Sequence, residues 1–220
     1  MAKRTKKAPT RSTAALIITL IILTLTALGV QVPDVVQELF GLPVQEKQTT
    51  TTKPQPSGSN PGPIENGAAT FTQTELKNKN KGWIVYHPLD QYRRATGADA
   101  LLKPNMVNTG TSANKDIRPP GFISGQANHS RGHLIGRQLG GSGDDARNLT
   151  TLYQNPVNTP YMTKYENQVR QALDQGETIR YRVTPIYKGQ EPLCTEIRIE
   201  AKGINTNSKI NFSVIIYNES

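Results

Sequence analysis

The chain has one cysteine, one tryptophan and three histidines among 220 residues, and aromatic residues make up only 6% of it. A single cysteine, Cys194, excludes an intrachain disulfide. With so few histidines beside it, the composition also argues against a Cys/His zinc site. Cys194 lies in PLCTEIRIEA, which reads as a strand, where a lone cysteine is more often a small buried hydrophobe than a nucleophile. Acidic residues are scarce relative to basic ones: 17 Asp and Glu against 26 Lys and Arg, a net charge of +9. The excess is not confined to the N-terminus. Residues 69–220 hold 19 Lys and Arg against 13 Asp and Glu, a net +6. Such a balance favours polyanionic partners (nucleic acid, anionic lipid or acidic glycan), although basic surfaces also serve solubility.

Charge is missing altogether from one stretch, AALIITLIILTLTALGVQV, residues 14–32. It follows a basic tail, residues 1–13, with five positive charges and no acid. The run is long enough to cross a bilayer as a helix, and it has no polar face that a buried core helix would show. A signal segment is the alternative, with Ala27-Leu28-Gly29 as a small-x-small cleavage site. The length of the run favours an uncleaved anchor. The basic flank places the N-terminus in the cytoplasm and the remainder outside. Residues 33–68, rich in Thr, Pro, Gly and Ser after Gln45, read as a linker. A single extracytoplasmic domain, residues 69–220, completes the chain.

Within that domain, residues 83–87 read as a strand, and residues 105–125 and the stretch GGSGDDARNLTTLYQNPVNTP after His133 as loops. Residues 161–175 read as a helix, because Met162, Tyr165, Val169, Ala172 and Leu173 form one apolar stripe and Gly176 supplies a stop. Three strands follow, TIRYRVTPIY, TEIRIEA and KINFSVIIY. Helix and strands mix without a regular βαβ repeat, which indicates an α+β fold.

The chemistry-bearing residues cluster around SRGHLIGRQLGG, residues 130–141, and the helix that follows. His133 sits two residues after Arg131. Asn158 precedes the helix, and Glu166 and Arg170 lie on it at i and i+4, where they share a face and can pair. By helical geometry Glu166 borders the apolar stripe, about 40° from Met162, at the seam between the helix and its packing partner. Taken singly, these are a structural histidine, a turn residue and a surface ion pair. Their co-occurrence after Arg-Gly-His points instead to a site. His129 and His87 read as structural, since two histidines four residues apart in an extended segment stand about 13 Å apart, too far to share an ion.

SRGHL, the RNL at residues 147–149, NPVN and YENQVR together resemble the DNA/RNA non-specific endonucleases. That family's signature is Asp-Arg-Gly-His, with Asn and Glu downstream on the helix of a ββα-metal finger. By layout the chain is similar to membrane-anchored DNA-entry nucleases and secreted DNases of Gram-positive bacteria. The resemblance spans roughly the last two thirds of the chain. It implies a ββα-metal core with antiparallel strands packed on helices. It implies that His133 is the general base and that Asn158 is the protein ligand of a hydrated Mg²⁺, with Mn²⁺ as a substitute. Asn155 is the competing ligand, and Asn158 is preferred for its spacing to Glu166. Glu166 would hold the metal's water shell, Arg170 would stabilise charge on the phosphate, Asn148 would support the site, and Arg131 is the motif arginine. Ser130 stands where the motif has Asp. The implied partner is DNA, with RNA as a second substrate, bound without sequence preference. A non-catalytic, membrane-anchored DNA receptor for uptake is the rival reading. It needs only the positive charge and leaves His133, Asn158 and Glu166 unexplained.

Overall fold

The computed structural model describes residues 60–77, 81–125 and 127–220. The basic tail at 1–13, the apolar run at 14–32 and most of the linker lie outside the described residues. Among the described residues, no helix is long and apolar enough to cross a membrane.

The four strands read from sequence, at residues 83–87 and in the three C-terminal stretches, join two further strands in one antiparallel sheet. It comprises β1 (Ile64–Glu65), β2 (Trp83–Tyr86), β3 (Ala98–Leu102), β6 (Ile179–Tyr187), β7 (Cys194–Gly203) and β8 (Asn211–Tyr217), in the order β1-β8-β7-β6-β3-β2. Period-two alternation sorts the central strands. Ile179, Tyr181 and Val183 of β6, Ile197, Ile199 and Ala201 of β7, and Val214 and Ile216 of β8 all enter one core. Against that face packs α1 (Thr163–Asp174), whose Tyr165, Val169, Ala172 and Leu173 join the same core, with Met162 just before it. The stripe expected from sequence is therefore the packing face. Gly176, at φ +87°, follows the helix in the left-handed region, as a stop requires. Cys194 is buried, and burial pushes its thiol up to about 12, in keeping with a packing role.

The opposite face carries charge. Arg180 and Arg182 of β6 converge on Asp99 of β3, and Arg182 also pairs with Glu75 and Glu200. Phe71 lies beneath both guanidiniums, each 4.8 Å from its ring centre.

A second, two-stranded sheet stands apart: β4 (His129–His133) pairs antiparallel with β5 (Leu149–Tyr153). β5 lies inside the stretch after His133 that reads as loop. Leu149, Thr150, Thr151 and Leu152 are all buried, so the strand shows no alternation. An irregular helical segment, Gln154–Met162, with extended backbone at Asn155 and Thr159, joins β5 to α1. Strand, strand and helix form the ββα unit that the resemblance implies. The end of the stretch read as linker also contributes to the fold. Asn60 is buried with its amide on the Tyr217 and Glu219 carbonyls, and β1 pairs with β8.

Leu173 has no solvent exposure. Leu173→Ala should cost about 2–5 kcal/mol in urea denaturation, and Gln171→Ala, on the exposed side of α1, no more than about 0.5 kcal/mol. Equal effects would mean that the helix is not docked by this stripe.

Candidate active site

In β4, alternation sends His129, Arg131 and His133 to one face and Ser130 and Gly132 to the other. Gly132 is required by packing, since a Cβ there would stand 2.3 Å from Leu152 Cδ1. The face bearing His133 is covered by a single stretch of chain, residues 111–123. The Ile123 N–H donates to His129 Nδ1 at 3.2 Å. Arg131 donates to the carbonyls of Ile117 and Lys115 at 2.6 and 2.9 Å, with its guanidinium over the Phe122 ring. His133 Nε2 meets the Thr111 carbonyl at 3.1 Å. A carbonyl can only accept, so Nε2 carries the proton and Nδ1 keeps its lone pair. Burial holds the imidazole below its ordinary value. The nearby Arg137 adds to this, while the Thr111 hydrogen bond opposes it. At neutral pH His133 is therefore uncharged, with a basic nitrogen available.

The loop after β4 is set by Asn148, which is fully buried. Its Oδ1 accepts from Ile135 N–H at 2.8 Å, and its Nδ2 donates to the Ile135 and Ser142 carbonyls at 3.1 and 2.9 Å. Asn148 thus binds backbone only and acts on the site through the loop. Gly141 fits beneath it because a Cβ there would sit 1.6 Å from the Ile135 carbonyl oxygen.

Glu166 projects from α1 onto the same loop. Its carboxylate occupies the space a side chain at Gly136 would fill, with both oxygens within 2.6 Å of an ideal Cβ position. Gln138 Nε2 lies 3.4 Å from Oε2. No cation pairs with Glu166 among the described residues. Burial pushes its carboxyl up to about 7, with Gln138 opposing. The expected Glu166–Arg170 pair does not form. Arg170 Nε donates instead to both oxygens of Asp174, at 3.0 and 2.9 Å, and Nη1 donates to Asn108 Oδ1 at 2.8 Å. Asp174 wins because it also lies at i+4 from Arg170 and is exposed, whereas Glu166 is drawn inward onto Gly136.

Asn158 donates through Nδ2 to Gln154 Oε1 at 3.1 Å, and its backbone carbonyl accepts from the Thr163 hydroxyl at 3.0 Å. Its Oδ1 makes no hydrogen bond among the described residues. Asn155 pairs its backbone N–H and carbonyl with the Asn128 amide, and its side-chain oxygen, like that of Asn158, makes no hydrogen bond among the described residues. The available donors, an amide oxygen and a carboxylate short of a cation, are hard oxygens. They suit a hydrated divalent ion better than zinc held by nitrogen and sulfur. Among the described residues no group of three or more His, Cys, Asp or Glu forms a fuller metal cage.

The DNA/RNA non-specific endonuclease family model matches residues 74–205, more than half of the chain. The chain belongs to that family. Its fold is similar to that of NucA from Streptococcus agalactiae, in a crystal structure with magnesium ion bound: 23% identity, 74% of this chain and 86% of that chain covered, TM-score 0.61. It is also similar to the Sda1 nuclease with bound zinc ion: 18% identity, 71% and 90% covered, TM-score 0.59. At these identities the likeness is one of fold.

Sequence reasoning missed the strap at residues 108–112. It hydrogen-bonds to the endonuclease loop through Asn108 N–H to Gln138 O and Thr111 N–H to Gly141 O. It also presents Asn108 to Arg170, Thr111 to His133 and Ser112 to Arg137. Glycines on both sides hint at so close an approach: a Cβ at Gly110 would stand 2.3 Å from the Gly141 carbonyl oxygen, and one at Gly143 2.0 Å from that of Ser112.

Asn148→Asp should be as damaging as Asn148→Ala, because a carboxylate turns two donors into acceptors facing carbonyls. Each unmet backbone group costs about 1–3 kcal/mol, read by thermal melting. A mild Asp variant would mean the clamp is dispensable. Glu166 has a raised folded pKa, so its ionised form costs stability as pH rises through about 7, and the cost is absent below the unfolded value. Glu166→Gln should therefore raise the melting temperature of the metal-free protein at about pH 8 and leave it nearly unchanged at about pH 4.

Proposed function

We propose that the chain is a divalent-metal-dependent, sequence-non-specific endonuclease that hydrolyses phosphodiester bonds of DNA, with RNA as a second substrate. The observation that carries this reading is the pairing of a neutral His133, its Nδ1 lone pair available, with a half-buried Glu166 that lacks a cation. His133 Nδ1 takes a proton from the attacking water, and the Thr111 carbonyl stabilises the imidazolium that results. Asn158 Oδ1 would hold the divalent ion, and Glu166 would hold its water shell. When bound, the metal neutralises charge on the phosphate and stabilises the leaving 3′-oxygen. Arg170 brings positive charge to the same helix face, shared with Asp174. Arg131 and Asn148 position the site through backbone bonds and need not touch substrate.

The domain's net charge supplies phosphate attraction without base readout, so binding weakens as salt rises. Magnesium is the ion of choice, since the donors are hard oxygens and the similar fold of NucA holds magnesium. The apolar run at 14–32 behind a basic tail supports delivery outside the cell, tethered to the membrane by that run.

The purified chain should cleave plasmid with Mg²⁺ or Mn²⁺ and stop in EDTA. His133→Ala should slow cleavage by about 10²–10⁴-fold. The acidic limb of the rate profile should fall below about pH 6.5, because His133 is held under its ordinary value. Binding without cleavage in any divalent metal would replace the enzyme with a DNA receptor. Cleavage that survives His133→Ala would move the chemistry elsewhere.

A further inference from the structure

We propose that Arg137 is a catalytic residue of this nuclease, its guanidinium taking the non-bridging oxygens of the phosphate that faces His133. The inference rests on the endonuclease reading and adds to it a residue that neither the motif nor Arg170 supplies.

Position is the first argument. Arg137 opens a single helical turn, Arg137–Leu139, between the two halves of the site. Its neighbours on either side, Gly136 and Gln138, are the residues that receive the Glu166 carboxylate. Its own Nη1 donates to Ser112 Oγ at 3.3 Å, one residue beyond the Thr111 carbonyl that orients His133. The guanidinium is thus fixed to the same strap as the base, on the loop that holds Glu166. It is close enough for its charge to disfavour protonation of His133.

Charge balance is the second. Arg94, Arg147, Arg170, Arg180, Arg182 and Arg198 each pair with a carboxylate. Arg131 is tied to backbone carbonyls beneath residues 115–122. Arg137, like Arg93 and Arg118, is exposed and pairs with no carboxylate among the described residues; it is set apart by its long hydrogen bond to the Ser112 hydroxyl, beside the Thr111 carbonyl that orients His133. Arg170 carries its counterion with it, so its net field at a phosphate is reduced. An exposed arginine is ordinarily just solvated. This one is anchored by a serine at the mouth of the site, with most of its N–H fork unspent, and the fork matches a phosphate's paired oxygens.

The test compares full-length wild type with Arg137→Ala, Arg137→Lys and, as a charge control away from the site, Arg198→Ala. The rate at saturating plasmid in Mg²⁺ and the plasmid concentration at half-maximal rate are measured, with melting temperatures alongside. Arg137→Ala should lower the saturated rate by about 10–100-fold, the size of one charge-assisted contact made in the transition state. Arg137→Lys should recover only part of it, because a point charge lacks the fork. Arg198→Ala should match wild type, and all melting temperatures should agree. In the His133→Ala background, the slope of log affinity against log salt should fall by about one unit on removing Arg137. A change confined to the half-maximal concentration would place Arg137 on a neighbouring phosphate and overturn the proposal. An unchanged rate would make it a surface charge, with the same result. A wild-type chain that cleaves nothing would overturn the endonuclease reading beneath it, an outcome distinct from variant-specific failure.

Discussion

The buried amide of Asn148 is the constraint on which the site depends. One side chain satisfies both backbone groups of Ile135 and the carbonyl of Ser142, and its own carbonyl accepts from Leu134 N–H at 2.8 Å. These bonds close the loop between β4 and β5 into a rigid ring in the protein interior, where an unmet polar group is costly. Everything with chemistry then takes its place from that ring. His133 ends the strand that enters it, Gly136 and Gln138 receive Glu166, and Arg137 stands on its rim. A side chain that touches no substrate thereby sets the distances among those that do.

The second determinant is the strap at residues 108–112, continued by residues 115–123 along β4. It turns the three polar side chains on one face of a short strand into three different things. His129 accepts a backbone N–H and packs on Tyr153, with ring centres 5.3 Å apart. Arg131 is consumed by two carbonyls. His133 alone of the three is left with an uncommitted lone pair, because His129 Nδ1 accepts from Ile123 while its Nε2 carries the proton. The carbonyl of Thr111 selects its tautomer, and the dry surroundings keep it neutral. On the loop that follows, burial likewise works against Glu166, whose charge is poorly compensated until a cation arrives. One environment thus makes a base available and leaves a carboxylate in need of a metal, the two halves of metal-assisted hydrolysis.

Much of this was legible in the chain. The stripe Met162, Tyr165, Val169, Ala172 and Leu173 named the packing face of α1, and Glu166 lies at its seam as the wheel requires. The strands β6, β7 and β8 follow their alternation. What misled were places where local pattern and tertiary use diverge. Glu166 and Arg170 have ion-pair spacing, yet burial against Gly136 draws one inward and Asp174 takes the other. LTTLY reads as loop because both its faces are buried: Thr150 bonds Tyr187 and Thr151 bonds Pro120. Asn60 and β1 look like linker by composition, although their partners lie some 150 residues further along the chain.

The sequence by itself determined the elements whose signals are periodic or local: the apolar run, the helix stripe and its glycine stop, the alternating strands, and the Arg-Gly-His motif with Asn and Glu at fixed spacing downstream. Periodicity is a one-dimensional property, so it survives without the fold. Only the tertiary structure decided which polar groups are spent and which remain available. That depends on carbonyls and amides brought from 13 to 62 residues away, Asn148 onto Ile135 and Asn108 onto Arg170. Backbone groups are the same at every position, so no residue code announces them. That Arg137 stands at the site with no carboxylate beside it could be recognised only after its neighbours had been placed.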